Sequence, residues 1–237
     1  MTTDTFLFID VRPSDSPFVE RVWRSHSERA GTLMSVASGH CEIVVTRHGG
    51  HTKLTLRGPE TRATTIDYPA GAEWLGIRFT LGSFMPQYPA RTLIDRNDVN
   101  LPDVRSQSFL LEGSAWEYPD FENAETFVTR LVRSRLLARD PAVDAALRGE
   151  ARALSRRSTQ RHFLHATGMT HTTFRKIERA RVAASLLRQG VSIADTVHET
   201  GYYDQAHLTR SLRKLIGETP ARIARQERQL SLLYESV

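Results

Sequence analysis

One local pattern recurs in the last third of the chain: a residue able to cap a helix precedes a helical run, and a glycine follows it. In the clearer copy, Ser192 precedes the run 193–200 and Gly201 ends it. A second helix is predicted over 205–216 and ends at Gly217. Two helices joined by a short glycine turn form a helix-turn-helix unit, so this pattern strongly constrains the fold of the region.

The second helix of this unit has two distinct faces. Its inward face is a leucine stripe at four- and three-residue spacing, formed by Leu208, Leu212 and Leu215. Its outward face carries Gln205, Ala206, Thr209, Arg210 and Arg213. Arginine binds guanine or phosphate, glutamine binds adenine, and threonine binds either base edges or phosphate. We therefore interpret the outward face as one that reads DNA in the major groove.

An earlier run, 156–166, predicts a second reading helix with Ser155 as its N-cap and Gly168 after its end. Its inward face is assigned to Thr159, Phe163 and Leu164. Its outward face is assigned to Arg156, Arg157, Gln160 and Arg161. Between the two units, apolar residues at helical spacing predict a helix over 172–189, which would be about 27 Å long. A rod of that length can hold two reading helices near one DNA turn apart, roughly 34 Å.

Basic residues are concentrated in the same region. Residues 148–229 contain 16 Lys and Arg residues against 7 Asp and Glu residues, a net charge of +9, whereas the rest of the chain carries −4. A basic C-terminal part on an acidic N-terminal part indicates that one end of the molecule meets a polyanion. Together with the two reading faces, this charge distribution predicts double-stranded DNA as the partner.

Residues 154–224 resemble the DNA-binding domain of the AraC/XylS family of transcription regulators. The matching residues are Leu154-Ser155, Gln160-Arg161, Phe163, Thr167-Gly168, Arg179-Ala180-Arg181, Ala183, Leu186-Leu187, Gly190, Ser192-Ile193-Ala194, Gly201-Tyr202, Asp204-Gln205, His207-Leu208, Thr209-Arg210, Gly217 and Thr219-Pro220. The resemblance implies DNA contacts at Arg157, Gln160, Arg161, Gln205, Ala206, Thr209 and Arg210. It further implies control of transcription, with RNA polymerase as a candidate partner and a homodimer as a candidate assembly.

The chain departs from the family pattern before the first reading helix. Arg148, Gly149 and Glu150 stand where an apolar and a small residue are usual, and Ala153 stands where a turn glycine is common. We therefore predict that the first unit is distorted or contributes less to sequence reading. In the second unit, Val197 replaces a usual alanine, and its extra volume can change the angle between the two helices.

Residues 1–117 have the features of β structure, namely short segments rich in β-branched and aromatic residues that turn signals separate. Strands are predicted over 5–10, 19–24, 33–37, 42–47, 53–57 and 74–81, with Gly49-Gly50 as a hairpin turn. This spacing predicts a small antiparallel barrel or sandwich, and the resemblance implies a cupin-like domain. The expected fold class is therefore α+β, with an all-helical domain at 140–237.

Between these parts, residues 118–139 are predicted to form a connecting segment. Apolar residues at three- and four-residue steps predict an amphipathic helix over 121–137, with Asp120 as its N-cap. The resemblance makes this helix a candidate subunit contact, and packing against the barrel is the alternative.

The N-terminal part is a candidate effector-binding domain, because a barrel of this size can enclose one small ligand and the resemblance implies an effector there. The candidate effector-binding residues are Tyr68, Trp74, Arg78 and Phe79, with Arg78 as the partner of an anionic group. The alternative is that most of these side chains fill a core.

The chain's histidines and its single cysteine are candidate metal ligands. His40, Cys41, His48 and His51 are types that bind zinc or iron, but the His-x-His plus glutamate pattern of metal-binding cupins is absent. We expect no metal and no other cofactor. One cysteine, a start without a basic stretch and long apolar core, and no apolar run of about 20 residues together predict a cytoplasmic protein without a membrane partner.

The leading hypothesis is an effector-responsive, sequence-specific DNA-binding transcription regulator that is not an enzyme. One alternative is a small β-barrel enzyme or ligand-binding protein with a helical appendage, although the sequence has no recognisable nucleophile elbow or phosphate-cradling loop. Another is an architectural protein that binds DNA by charge alone, which would show little preference over competitor DNA.

Overall fold

The computed structural model describes residues 7–96, 99–105, 107–149, 155–226 and 230. Antiparallel strands occupy the first half of the chain and helices the last third, which confirms the α+β prediction. The strands are β1 (Leu7–Pro13), β2 (Val19–Ser27), β3 (Gly31–Ser35), β4 (Glu42–His48), β5 (His51–Arg57), β6 (Thr64–Tyr68), β7 (Glu73–Phe79), β8 (Ser83–Phe84), β9 (Val99–Asn100), β10 (Asp103–Arg105), β11 (Ser108–Leu111), β12 (Ser114–Glu117) and β13 (Ala138–Arg139). The helices are α1 (Ala90–Leu93), α2 (Ala124–Arg133), α3 (Pro141–Leu147), α4 (Arg156–Thr167), α5 (His171–Arg188), α6 (Ile193–Glu199), α7 (Gln205–Leu215) and α8 (Pro220–Ala224).

The main sheet has six antiparallel strands in the order β1-β2-β7-β4-β5-β9. The pair β3–β6 forms a separate small sheet, as do β10-β11-β12 and β13–β8. The described strands therefore form antiparallel sheets, as predicted, but they do not close into a barrel. The first predicted strand starts at residue 5, which lies outside the described residues, and the other five predicted strands match β2, β3, β4, β5 and β7 to within a few residues.

The hairpin between β4 and β5 turns at the two glycines that the sequence indicated. Gly49 and Gly50 have φ angles of 58° and 78°, and His48 pairs with His51 across the turn. Two consecutive residues with positive φ match the right-handed twist of the flanking strands, and glycine adopts that conformation without steric cost.

Side chains alternate between the two faces of the six-stranded sheet. On β7, Leu75, Ile77 and Phe79 lie in a core with the apolar residues of β4, β5 and α2, whereas Trp74 and Arg78 lie on the opposite face. Phe79 was predicted to bind an effector together with Arg78, but the structure places it in the core on the other face, because neighbouring residues of a strand point to opposite faces.

The predicted helix over 121–137 is shorter than expected. Residues 121–123 form a turn in which the Asp120 carboxylate accepts hydrogen bonds from the backbone N–H groups of Glu122 and Asn123, and α2 starts after Asn123. The helix ends at Arg133 because Arg135 takes a positive φ of 60°. The inward face of α2 packs against the six-stranded sheet, which is the alternative that was predicted beside a subunit contact.

One hydrophobic cluster contains residues of both the N-terminal part and the C-terminal helices. Met34, Val36 and Ala37, which lie in or just after β3, are buried in the same cluster as Phe163 of α4 and Leu212 of α7. The two parts of the chain are thus packed directly on each other. No helix in the described segments is long and apolar enough to cross a membrane.

Candidate nucleic-acid interface

Helix α7 presents its predicted polar face to solvent. The Asp204 carboxylate accepts a hydrogen bond from the backbone N–H of His207 at 2.6 Å, which fixes the start of the helix. The predicted leucine stripe is buried, and it comprises Leu208, Leu212 and Leu215. The exposed residues are Gln205, Ala206, Arg210 and Arg213, while Thr209 is half-buried. The Thr209 hydroxyl donates to the Gln205 carbonyl at 2.8 Å, so its proton is already used within the helix.

Helix α6 and the turn that follows it form the first half of the second unit. Ser192 caps α6 by accepting from the backbone N–H of Asp195, and Gly201 in the turn has a φ of 68°. The buried Tyr202 then fixes the turn, because its hydroxyl lies 2.8 Å from that of Ser211 on α7 and its ring lies 4.3 Å from the guanidinium of Arg179 on α5.

Helix α4 carries the earlier reading face. Ser155 caps it as predicted, and Gly168 ends it with a φ of 73°. Arg157, Gln160 and Arg161 are exposed, and the Arg156 side chain lies outside the described residues. Phe163 is fully buried and Thr159 is half-buried, but Leu164 is 46% exposed. The assignment of Leu164 to the inward face was therefore wrong, because that position lies one residue beyond the narrow apolar stripe of this helix.

A short helix precedes α4 despite the unusual sequence there. Helix α3 starts at Pro141 and is capped by Asp140, which accepts from the backbone N–H of Ala142 at 2.9 Å. The other carboxylate oxygen of Asp140 lies 2.7 Å from Nδ1 of His162, so one side chain ties α3 to α4. Glu150 and Ala153 lie outside the described residues, and the prediction that this unit contributes less to sequence reading stays a prediction.

The two reading helices are held on α5, which has 18 residues and is therefore about 27 Å long. Its buried residues are Phe174, Ile177, Ala180, Arg181, Ala183, Ala184 and Leu187. Helix α5 contacts α4, α6, α7 and α8.

The exposed guanidinium groups on the two reading faces have no intramolecular partner within the described part of the chain. Arg157, Arg161, Arg210 and Arg213 make no ion pair or hydrogen bond there. By contrast, Arg12, Arg24 and most other ion-paired arginines lie in the N-terminal half. Unpaired arginines on one surface can neutralise phosphates without first breaking an internal salt bridge.

The C-terminal ends of the reading helices contact the N-terminal part. At the end of α7, the Lys214 and Leu215 carbonyls accept hydrogen bonds from the backbone N–H groups of Ala63 and Ala37 at 2.9 Å and 2.8 Å. At the end of α4, Gly168 lies so close to Ala90 of α1 that a Cβ atom there would be 2.8 Å from backbone. The N-terminal halves, which are the parts of a reading helix that approach bases, stay exposed.

A cavity of about 560 Å³ lies in the N-terminal part. Three of the four candidate effector residues line it, namely Tyr68, Trp74 and Arg78. The rings of Tyr68 and Trp74 meet edge to face with centroids 6.3 Å apart, and Arg78 is buried. The fourth residue, Phe79, lies in the core on the other side of the sheet.

Some residues of the interface had no clear signal in the sequence. Tyr203 is 90% exposed in the turn directly before α7, where an aromatic hydroxyl can contact a phosphate. The support that Arg179 gives to Tyr202 needs a contact between helices, and no local pattern shows it.

The long helix α5 holds two capped helix pairs, and each pair exposes a face that carries arginine and glutamine. This arrangement defines the DNA-binding class of helix-turn-helix domains. Residues 150–226 match the protein family described as a helix-turn-helix domain. This part of the chain is an AraC-type helix-turn-helix domain, which confirms the resemblance that the sequence indicated.

The chain is also similar to HTH-type transcriptional regulator RipA of Corynebacterium glutamicum. The two are 34% identical over 90 residues, which cover 37% of this chain and 27% of RipA. The chain therefore matches about a quarter of the length of that relative. No solved structure matches the chain.

Proposed function

We propose that the protein is a sequence-specific DNA-binding transcription regulator that responds to a small effector held in its N-terminal part. The DNA-binding part of this proposal rests on one observation: the N-terminal halves of α4 and α7 are exposed. Each carries arginine and glutamine, and one rod about 27 Å long holds both. This spacing favours the reading of two successive major-groove segments on one side of the duplex.

Base reading is favoured over binding by charge alone because the exposed residues are not only cations. Gln160 and Gln205 stand beside arginines on the two reading faces, and glutamine can bond adenine in the major groove. A protein that neutralised phosphates alone would gain nothing from these amides. The helix-turn-helix domain likewise favours a regulator over the enzyme alternative.

Effector response is supported by the cavity and by its position. Its volume lies in the range of roughly 300–1,000 Å³ that small-molecule sites occupy. The part of the chain that forms it shares a hydrophobic core with α4, α5 and α7. A ligand bound there would therefore act on a wall that is in contact with the DNA-binding helices.

The test uses the full chain and DNA sites selected from a random pool. Arg157→Ala and Arg210→Ala should each weaken binding to the selected site by about 1–3 kcal/mol and relax the preference for particular bases. Arg175→Ala, which removes an exposed arginine from α5 outside both reading faces, is the matched control and should change specific binding little. If both reading-face variants bind as tightly and as selectively as the parent chain, the assignment of reading faces is wrong.

A further inference from the structure

One apolar side chain lies exposed on the reading face of α4. Leu164 is 46% exposed, and its neighbours on the helix surface are Gln160 and Arg161, which lie four and three residues earlier. Arg157 lies seven residues earlier, which is close to two full turns, so one line along α4 carries arginine, glutamine and leucine. A single exposed leucine is ordinary on a protein surface, but this one shares a line with side chains that we assign to DNA.

The core of the molecule does not use Leu164. Phe163 and Ala166, which lie on the inner side of α4, belong to the hydrophobic cluster that also contains residues of α5 and α7. In the described part of the chain, Leu164 is not a member of that cluster. His165, the next residue, stands edge to face with the ring of Phe84, with centroids 5.1 Å apart. Nearly half of the Leu164 surface therefore stays open to a partner outside the chain.

The two reading helices can be compared position by position from their caps. Ser155 and Asp204 each accept a hydrogen bond from the backbone N–H three residues later, so the two caps are equivalent. Nine residues after the cap, α4 has Leu164 and α7 has Arg213. An arginine can bind a phosphate there, whereas a leucine forms neither an ion pair nor a hydrogen bond. At this position α4 therefore meets either an apolar group of the DNA or no group at all.

The second position after the cap shows the reverse exchange, with Arg157 on α4 and Ala206 on α7. The exposed arginines of α4 thus lie in its first two turns, and those of α7 lie in its second and third turns. Because the two helices differ in this way, we expect the two halves of a bound DNA site to differ in sequence as well.

The major groove offers one apolar group to such a side chain, which is the C5 methyl of thymine. A helix rises about 1.5 Å per residue, so Leu164 lies about 6 Å beyond Gln160 along α4. Bases along one DNA strand are about 3.4 Å apart. With α4 lying along the groove, Leu164 therefore reaches a base about two steps from the base that Gln160 meets.

We propose that Leu164 is a specificity-determining residue that contacts the C5 methyl of a thymine about two steps from the base at Gln160. This inference rests on the proposed function, and it adds one base to those that the first helix-turn-helix unit reads. The contact recognises thymine through its methyl group, so it is independent of the hydrogen-bonding edges that arginine and glutamine read.

Deoxyuridine in place of thymine removes this methyl from the DNA and leaves the pairing unchanged. The DNA is a site that the full chain selects from a random pool, and relaxed base preference of Gln160→Ala marks the half that α4 reads. Each thymine of that half is replaced singly by deoxyuridine, and affinity is measured by fluorescence anisotropy. At one thymine we expect the replacement to weaken binding of the parent chain about 4-fold, which is the effect of one buried methyl group.

The matching change on the protein is Leu164→Ala. This chain should bind the thymine and deoxyuridine sites equally, whereas Leu164→Met, which keeps an apolar side chain of similar volume, should retain most of the difference. Val182→Ala is the matched control, because Val182 is an exposed apolar residue on α5 outside both reading faces. It should distinguish the two sites as the parent chain does.

A third substitution tests whether the position faces the DNA backbone. Leu164→Arg gives α4 the cation that α7 carries at the same position, so the slope of log affinity against log salt concentration should steepen by about 1. The difference between thymine and deoxyuridine should disappear in this chain. An unchanged slope would mean that Leu164 does not face DNA, and the proposal would be overturned.

The remaining outcomes are equally decisive. A selected site with no thymine in the half read by α4, or with no thymine whose methyl affects binding, would overturn the proposal. So would equal weakening of the thymine and deoxyuridine sites by Leu164→Ala, which would indicate a contact with the sugar-phosphate backbone or with a second copy of the chain.

Failure of this inference can be distinguished from failure of the proposed function. A selected site whose binding depends on Arg157 and Arg210 but on no thymine methyl contradicts only the role of Leu164. Failure to select any preferred site contradicts the proposed function, and this inference with it.

Discussion

The contact between α4 and the N-terminal part can be tested with one methyl group. Gly168 ends α4 with a φ of 73°, and a Cβ atom there would lie 2.8 Å from the backbone carbon of Ala90 and from the backbone nitrogen of Arg91. Real Cβ atoms do not approach backbone so closely, so Gly168→Ala must displace α1 from the end of α4. Gly201 is the matched control, because its φ is 68° and no atom lies within 4 Å of the Cβ position.

The expected costs follow from these two geometries. A left-handed conformation costs an L-residue roughly 1–2 kcal/mol, and both substitutions carry that penalty. Overpacking against a close neighbour adds about 1–3 kcal/mol, and only Gly168→Ala carries it. We therefore expect Gly201→Ala to lower the free energy of unfolding by about 1–2 kcal/mol and Gly168→Ala by about 2–5 kcal/mol. Gly217→Ala should fall between them, since its φ is 86° and the close atom, Sδ of Met34, belongs to a flexible side chain.

Urea unfolding of the full chain, followed by circular dichroism, gives these values from the midpoint and the slope. The shared core predicts one cooperative transition whose slope does not change among the three variants. Equal destabilisation by Gly168→Ala and Gly201→Ala would mean that α1 does not lie against the end of α4, and the close packing of the two parts would then be refuted at this point.

Three further predictions follow from charged and titratable groups. Arg213→Ala should reduce the slope of log affinity against log salt concentration by about 1, because one phosphate contact is lost. The control variant Arg175→Ala should leave the slope unchanged. Equal slopes for the parent chain and both variants would mean that Arg213 does not contact DNA. The hydrogen bonds from Arg12 lower the pKa of Glu125 from 4.5 to about 2, so the stability that Glu125 contributes is complete above pH 4.5 and is lost as the pH falls toward 2. The stability advantage of the parent chain over Glu125→Gln should therefore shrink in urea titrations as the pH falls through that range, and a constant difference would contradict the assignment. Burial and the neighbouring Glu42 carboxylate raise the pKa of Cys41 to about 12, so iodoacetamide should alkylate Cys41 slowly at pH 8 in the folded chain and quickly in urea, and fast alkylation of the folded chain would contradict the raised pKa.

The sequence predicted the DNA-binding half well because the signals there are local. A cap such as Ser155 or Asp204 bonds to a backbone group three residues away, and a glycine such as Gly168 ends a helix through its own φ angle. The leucine stripe of α7 likewise depends only on helical spacing. These features need no knowledge of the rest of the fold, and the structure places them as predicted.

The N-terminal half was harder to predict because its features depend on distant pairings. Strand β6 (Thr64–Tyr68) alternates between half-buried and exposed side chains, but it has only five residues and no fully buried position, so its signal in the sequence is weak and it was not predicted. Closure into a barrel depends on which edges pair, and the described strands leave the sheets open. Strand parity would have excluded Phe79 from the effector site once Trp74 and Arg78 were placed there.

The position of Arg181 shows most clearly what a local pattern leaves out. Helical spacing placed Arg181 on the inner face of α5, and the structure agrees. Its guanidinium, however, donates to the Ala37 carbonyl, which lies 144 positions earlier in the chain. A buried arginine on a helix face would ordinarily be read as a structural ion pair, and only the tertiary fold brings it to the wall of a cavity.

One short segment, residues 33–39, connects the cavity to α5 and α7. Leu33, Ser35 and Val36 line the cavity, whereas Ala37 is hydrogen-bonded to α5 through its carbonyl and to α7 through its N–H. Gly39 lies against the ring of Phe174 so closely that a Cβ atom there would be 2.4 Å from it. Because a close-packed segment does not deform continuously, a ligand that moves the cavity wall must also shift α5 or α7 or break these contacts. A shift of α5 or α7 would change the separation or orientation of the two reading helices, and two-site recognition on one face of DNA depends on that geometry.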